Sequence, residues 1–231
     1  MDKKTPSLKH LAIIPDGNRR WARERGRPIL EGHQAGFRVL KKTAVWCRDF
    51  GIEYLTIFAF SRDNWKRSEK EIDYLVKLAI KLFSREVKWA LEEDIQIRVA
   101  GDRPGLSSQI QRRIKEAEEK TRSNNKLILT LALNYNGRSE IVEAFRQIIK
   151  QGKKAGEINE DLVSRSLWTA GLPDPDMIIR TSGEQRLSGF LTWQSIYSEL
   201  YFLSKYWPDF NKGDLETALD DYRQRSRRFG R

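Results

Sequence analysis

The stretch Leu11-Ala12-Ile13-Ile14-Pro15-Asp16-Gly17-Asn18-Arg19-Arg20-Trp21-Ala22 decides the fold class. Four apolar residues, the length of a short strand, run into a proline and an Asp-Gly pair, and an arginine-rich helical start follows at once. A strand feeding a helix through a tight turn is the first half of a βαβ unit. The alternation recurs along the chain. Short runs rich in β-branched and aromatic residues at 54–60, 95–100, 127–133, 177–179 and 200–202 are separated by helical patterns at 35–50, 70–93, 107–121, 139–150, 161–169 and 212–228. The class is therefore α/β, with a central, mostly parallel sheet of about six strands flanked by helices. With no repeat, low-complexity tract or Pro/Gly-rich linker, residues 1–231 read as a single domain, 1–9 being expected as a mobile N-terminal tail.

Hydrophobic residues make up 39% and charged residues 32% of the 231, the balance of a globular protein and not of a disordered one. No apolar run approaches the ~20 residues that cross a bilayer. The start Met1-Asp2-Lys3-Lys4 lacks the apolar stretch of a secretory signal, so a cytoplasmic protein is expected. Cys47 is the lone cysteine, and His10 and His33 are the two histidines; this excludes an intrachain disulfide and argues against a Cys/His zinc cage. Lys plus Arg number 43 against 32 Asp plus Glu, a net +11 that draws in something anionic: nucleic acid, anionic lipid or a phosphorylated metabolite.

Three clusters carry the chemistry. After the first strand, Asp16-Gly17-Asn18-Arg19-Arg20 puts free backbone N–H groups and two arginines at a helix start, an anion cradle where open α/β sheets bind ligands; a capped helix with solvated arginines is the plainer alternative. The second cluster, Ser61-Arg62-Asp63-Asn64-Trp65-Lys66-Arg67, offers hydrogen-bonding groups at Ser61 and Asn64 and a phosphate clamp at Arg67, or simply a polar turn. The third, Arg180-Thr181-Ser182-Gly183-Glu184-Gln185-Arg186-Leu187-Ser188, suits a second diphosphate. Glu199, in the aromatic stretch 197–202, needs a partner, either a metal ion or an arginine. Within 70–93, Ile72, Leu75, Val76, Ala79, Leu82, Phe83, Val87 and Ala90 form a wide helical stripe, which is either core packing or one wall of an apolar tunnel.

These clusters, with Gly32-His33, Asn134-Tyr135-Asn136-Gly137-Arg138, Ser198-Glu199-Leu200-Tyr201-Phe202 and Trp207-Pro208-Asp209-Phe210, resemble the cis-prenyltransferases, which include undecaprenyl diphosphate synthase. The resemblance runs in order from about His10 to Arg228-Phe229-Gly230. It implies a homodimeric α/β fold with an apolar tunnel, unlike the all-helical trans enzymes and their D-D-x-x-D motifs; Asp220-Asp221-Tyr222-Arg223-Gln224 lacks the final acid.

The implied activity is magnesium-dependent condensation of isopentenyl diphosphate with an allylic diphosphate, farnesyl or geranyl, to a Z-polyprenyl diphosphate, with undecaprenyl diphosphate as the expected product. By resemblance Asp16 positions magnesium, while Gly17, Asn18, Arg19, Arg20 and Trp21 belong to the allylic site with His33, Arg62, Asp63, Trp65 and Arg67. Ser61 and Asn64 fall where the family assists proton loss. Arg180, Arg186, Leu187 and Ser188 correspond to the isopentenyl site, Glu199 to a second magnesium ligand, and Arg228 and Gly230 to a tail reaching the neighbouring subunit. Ile29 stands where the family often has an arginine, for which Arg27 is the candidate substitute; Arg62-Asp63 replaces a small hydroxyl and glutamate, and Gly189 replaces an asparagine. Alternatives are a short- or medium-chain Z-prenyl diphosphate synthase, a non-catalytic partner subunit, and a basic nucleic-acid-binding protein. The last lacks any nucleic-acid signature, so no nucleic acid is expected. Peripheral contact with anionic lipid at the inner membrane face fits the charge.

Overall fold

Six strands, β1 (His10–Ile14), β2 (Tyr54–Ser61), β3 (Ile95–Ala100), β4 (Leu127–Tyr135), β5 (Met177–Arg180) and β6 (Glu199–Phe202), form one sheet in the order β3-β4-β2-β1-β5-β6 in the computed structural model, which describes residues 8–225. Every neighbouring pair is parallel. Parallel strands need crossovers, and helices supply them. The helices are α1 (Asn18–Glu24), α2 (Ile29–Asp49), α3 (Glu69–Ser84), α4 (Val87–Glu92), α5 (Ser108–Lys120), α6 (Gly137–Lys150), α7 (Glu160–Ser166) and α8 (Lys212–Gln224).

Strand alternation builds the core. Leu11 and Ile13, Leu55 and Ile57, and Leu127, Leu129, Leu131 and Leu133 join one apolar cluster with residues of α2, α3, α4, α5 and α8. Each fully buried leucine or isoleucine there contributes about 2 kcal/mol. The intervening Ala12, Thr56, Thr130 and Ala132 are small and buried on the other face. From β1 the chain crosses to β2 on one side, whereas β5 and β6 lie on the other. The β1/β5 seam is thus a topological switch point, and the carboxyl ends of its strands are where such sheets bind ligands.

The expected elements are present, with differences that have local causes. The helix expected over 70–93 is two: α3 ends at Ser84 and α4 starts at Val87, the break lying beside Glu86, whose carboxylate Lys41 holds. The break re-aims the stripe so that Val87 and Ala90 are buried. Helix 161–169 stops at Ser166 because Leu167 turns extended. Of the segment 1–9 expected as a tail, Leu8 is buried in the core, and Lys9 is held through its N–H on Asp176 (2.8 Å) and its carbonyl, which accepts from Glu53 and Tyr54 (3.0 Å each). Residues 1–7, and Arg228 and Gly230, lie outside the described residues. Among the described residues no helix is long and apolar enough to cross a membrane.

His10 shows how polar groups survive in the sheet. Its Nδ1 donates to the Pro173 carbonyl (2.7 Å), and with burial holding the ring neutral its Nε2 accepts from the Thr56 hydroxyl (2.8 Å). Burial lowers its pKa from 6.5 to about 4. The unfolded chain therefore takes up a proton near pH 6.5 and the folded chain only near pH 4. This stability is complete above the upper value and falls by about 3 kcal/mol as pH drops through the window. Urea midpoints should decline more steeply from pH 7 to 4 in the native chain than in His10→Gln; equal slopes would contradict the assignment.

Candidate active site

A polar cavity of about 360 Å³ sits at the carboxyl end of β1, lined by Asp16, Asn18, Arg19, Arg20, His33, Asn64 and Arg67 among others. Behind it lies an apolar cavity of about 120 Å³ walled by α2, α3, β2 and β4. The two share Pro15, Asn18, His33, Ala59 and Leu75 in their walls, so they adjoin. Ala59, Ala79, Phe83 and Leu133 all line the apolar part, and so do Leu75, Val76 and Leu82 of the α3 stripe. The stripe is thus both core and cavity wall. Trp65 also lines it and donates through Nε1 to Asn134 Oδ1 (2.8 Å).

Gly17 caps α1 with φ +105°, a conformation that a side chain resists, and a Cβ there would meet the Tyr206 ring at 2.7 Å. Its N–H donates to Asp16 Oδ1 (2.7 Å). Asp16 Oδ2 accepts from Arg180 Nη2 (2.8 Å) and lies 3.5 Å from Arg20. Arg20 reaches on to Glu184 (3.0 Å), which also holds Arg186 (2.5 Å) and which these arginines keep below the usual glutamate range, Arg186 most strongly. Arg180, nearly buried, donates through Nη1 to the Arg186 carbonyl and the Ser188 hydroxyl (3.0 Å). The first and third clusters are therefore one site spanning the β1/β5 seam.

The second cluster joins through Glu71 on α3. This carboxylate is buried, 4% exposed, and accepts from His33 Nε2 (3.0 Å) and Arg67 Nη1 (3.0 Å), with Arg19 Nε at 3.7 Å. Burial chiefly lowers the His33 pKa, so the ring is neutral and donates its Nε2 hydrogen. Burial also lowers the Arg67 pKa, with Glu71 opposing. Glu71 thus orients His33 and Arg67 and offsets the repulsion between Arg19 and Arg67.

Several buried polar atoms here lack a hydrogen-bond partner: Asn18 Oδ1, Arg19 Nε, Arg180 Nε and Ser182 Oγ. Such groups mark a place prepared for a ligand or water. The loop carrying the third cluster is held in left-handed backbone at Ser182, Gly183, Ser188, Gly189 and Leu191, a strained course that persists when its surroundings over-determine it. Gly137 N–H donates to the Gly189 carbonyl (2.7 Å). Buried Glu140 accepts from Gln194 (3.0 Å), from Thr169 and from the Tyr135 hydroxyl (2.5 Å), which ties the loop to α6. At φ +77°, Gly189 is the residue that this turn favours.

Other expected site residues stand apart. Arg62 lines a separate groove and lies 4.0 Å from Asp102, while exposed Asp63 pairs with Lys66 (2.8 Å). Trp21 donates to Asp209 (2.7 Å) and stacks under Arg25, anchoring α1. Arg27, the candidate substitute for the arginine absent at Ile29, packs over Trp21 and lies 3.7 Å from Glu31. Ser61 gives its backbone N–H to Asn64 Oδ1 (3.0 Å), and Leu187 packs against the buried group of Ile14, Tyr135, Ile178 and Phe190 on the other face of the sheet. Glu199 is level with Met177 and hence with Leu11, at the amino end of the sheet. It pairs with Arg225 (2.9 Å), so within one chain it shares no ion with Asp16. Register, which puts Glu199 some 10 Å further back along the strands than Arg180, is the reason. Asp220 and Asp221 pair with Arg223 and Arg225 on or beside α8.

A carboxylate set among arginines at the mouth of an apolar cavity, on the switch point of a parallel sheet, defines a site for an anionic head with an apolar tail. Residues 14–230 match the model of the prenyltransferase family described as undecaprenyl diphosphate synthase. An isoprenyl transferase of Thermotoga maritima is 46% identical over 225 residues, 96% of each chain, and one of Clostridium perfringens is 46% identical over 226, 96% of this chain and 89% of that one. The structure of lavandulyl diphosphate synthase from Lavandula x intermedia, in complex with dimethylallyl diphosphate, superposes with TM-score 0.92 at 38% identity, covering 97% of this chain and 98% of that one. A probable undecaprenyl diphosphate synthase from Campylobacter jejuni gives 0.82 at 30%, covering 98% and 100%. The chain belongs to the undecaprenyl diphosphate synthase family and is a prenyltransferase.

Proposed function

We propose that the protein extends an allylic diphosphate, farnesyl or geranyl, with isopentenyl diphosphate to a Z-polyprenyl diphosphate, with undecaprenyl diphosphate as product. The observation that carries this is the adjacency of a polar pocket ringed by Arg19, Arg20 and Arg67 and an apolar cavity behind it, which share the walls of Pro15, Asn18, His33, Ala59 and Leu75. The allylic diphosphate sits among those arginines with its chain in the cavity; the isopentenyl diphosphate sits at Arg180, Arg186 and Ser188. The allylic C–O bond breaks with its electron pair leaving on the diphosphate, the isopentenyl double bond attacks the freed carbon, and a proton leaves the isopentenyl unit. Arginines poised before the reaction stabilise the departing charge without reorganising. Asn64 orients the isopentenyl unit at the mouth, and the released diphosphate accepts the proton.

Magnesium fits the donor set. Asp16 is a partly exposed carboxylate at the pocket that would take the diphosphate, one protein oxygen donor with room for water and phosphate oxygens around it. That suits an ion that keeps water and binds chiefly through substrate phosphate. Asp16 would hold it with the diphosphate oxygens, and the ion's chemistry is to take up charge on the leaving group. Arg228 and Gly230 would complete the site from a neighbouring subunit. A homodimer is supported by exposed Ile196 (72%), Tyr197 (62%) and Leu200 (36%) beside edge strand β6, with Val142, Phe145 and Ile149 on α6. Sedimentation at twice the chain mass checks it. The expected setting is cytoplasmic, with peripheral membrane contact.

The reading is tested by diphosphate release. One diphosphate should appear per isopentenyl unit consumed, only with an allylic partner, and chelation should stop it; release without the allylic partner would overturn it.

A further inference from the structure

We propose that the groove between α2 and α3 is the surface that seats this protein on a bilayer containing anionic lipid. The groove measures about 340 Å³ and is lined by Arg38 and Lys41 of α2 and Lys77 and Lys81 of α3, against a single acid, Glu86. Glu86 is engaged by Lys41 and lies 3.9 Å from Lys81. Arg38 and Lys77 are exposed and, among the described residues, enter no ion pair.

The floor of the groove is apolar. Phe37, Tyr74 and Leu78 are partly exposed there, and Lys81 Nζ stands 6.0 Å over the Phe37 ring. Six of the seven α3 residues from Tyr74 to Ile80, all but Lys77, are apolar or aromatic and only half covered. A helix that keeps apolar surface outward between lysines is built to lie in a headgroup layer, its cations on phosphate and its apolar residues in the acyl boundary. Phe37 and Leu78 line both this groove and the apolar cavity, so the two spaces are one side chain apart. A prenyl chain in the cavity would be separated from lipid by that wall alone.

Charge complementarity selects the occupant. A second copy of this chain would set the same cations face to face, which costs binding, whereas anionic headgroups attract each one. The purpose of the contact rests on the prenyl-chain reading, but its deciding readout is vesicle binding, which needs no substrate, so failure here leaves that reading standing.

The experiment is sedimentation of the purified full chain with phosphatidylcholine vesicles and with vesicles that also contain phosphatidylglycerol. The native protein should partition onto the latter alone. Arg38→Gln/Lys77→Gln should weaken that partitioning about 25-fold, roughly fivefold per cation, with diphosphate release from soluble short substrates unchanged. Arg112→Gln/Lys120→Gln on α5 removes the same charge elsewhere and should weaken it by about twofold at most. Equal loss in the two pairs, no loss in the first, or no binding by the native protein would overturn the proposal. A change in the sedimenting mass of Arg38→Gln/Lys77→Gln without vesicles would assign the groove to contact between copies, and would overturn it as well.

Discussion

Asp16→Asn is expected to lower kcat by a factor of about 10² to 10³ while leaving the affinity for allylic diphosphate within about threefold. Arg19, Arg20 and Arg67 line the pocket independently of the carboxylate, so ground-state binding survives. What goes is the one anionic oxygen pair that faces Arg180 and Arg20 and would hold magnesium against the leaving group. Asparagine keeps the size and one accepting oxygen, which confines the change to charge. A steady-state comparison of kcat with a separate binding titration decides it. Turnover near the native rate would remove Asp16 from the reaction, and loss of binding equal to the loss of turnover would make its role structural.

Glu71→Ala is expected to cost about 2 kcal/mol of stability. Removing one partner of a buried ion pair leaves the others uncompensated, and the figure allows for the partial exposure of Arg19 and Arg67. For a chain of 231 residues this lowers Tm by about 4–8 °C. His33 and Arg67 would also lose the acceptor that aims them, so KM for the allylic diphosphate should rise about tenfold or more. Glu71→Gln, which keeps an accepting oxygen, should recover part of both. An unchanged melting temperature with an unchanged KM would contradict the role of Glu71 as a positioning residue.

The parts of the molecule that could be read in advance are those set by local pattern. Buried parallel strands are nearly continuous apolar runs, so Leu127-Ile128-Leu129-Thr130-Leu131 announces itself, and six such runs between helices leave few topologies. The arginines of the first and third clusters were visible for the same reason: each follows a strand directly, and the sheet brings those strand ends together. Glu71 was not visible, because in sequence it is one more acid in the first turn of a helix; its position four residues after Arg67 is the only local hint of their pairing. Glu184 was hidden likewise, since its partner Arg20 lies 164 residues away.

Glu199 is a position where local sequence leaves two partners open. Its aromatic neighbours made a metal or an arginine equally good partners, and only register places it beside Arg225 and away from Asp16. Arg62 and Asp63 lie apart from the pocket because the turn at Arg62–Lys66 points successive side chains in different directions: Asn64 faces the polar cavity, Trp65 the apolar one, and Asp63 the solvent. Where a side chain points within an irregular turn is a property of the fold, and spacing does not reveal it.

The most direct measurement is mass-spectrometric analysis of products made by the purified chain from magnesium, labelled isopentenyl diphosphate and each of dimethylallyl, geranyl and farnesyl diphosphate. The proposed function predicts successive addition of isopentenyl units to an allylic starter, with undecaprenyl diphosphate as the expected product and extension abolished by chelation; the apolar cavity behind Arg19 and Arg67 is where the chain would begin. Arrest after one or two additions would assign a short-chain product to the same site. Failure to extend any starter, in protein shown to be folded, would contradict the account and leave the chain as a partner of another catalytic subunit.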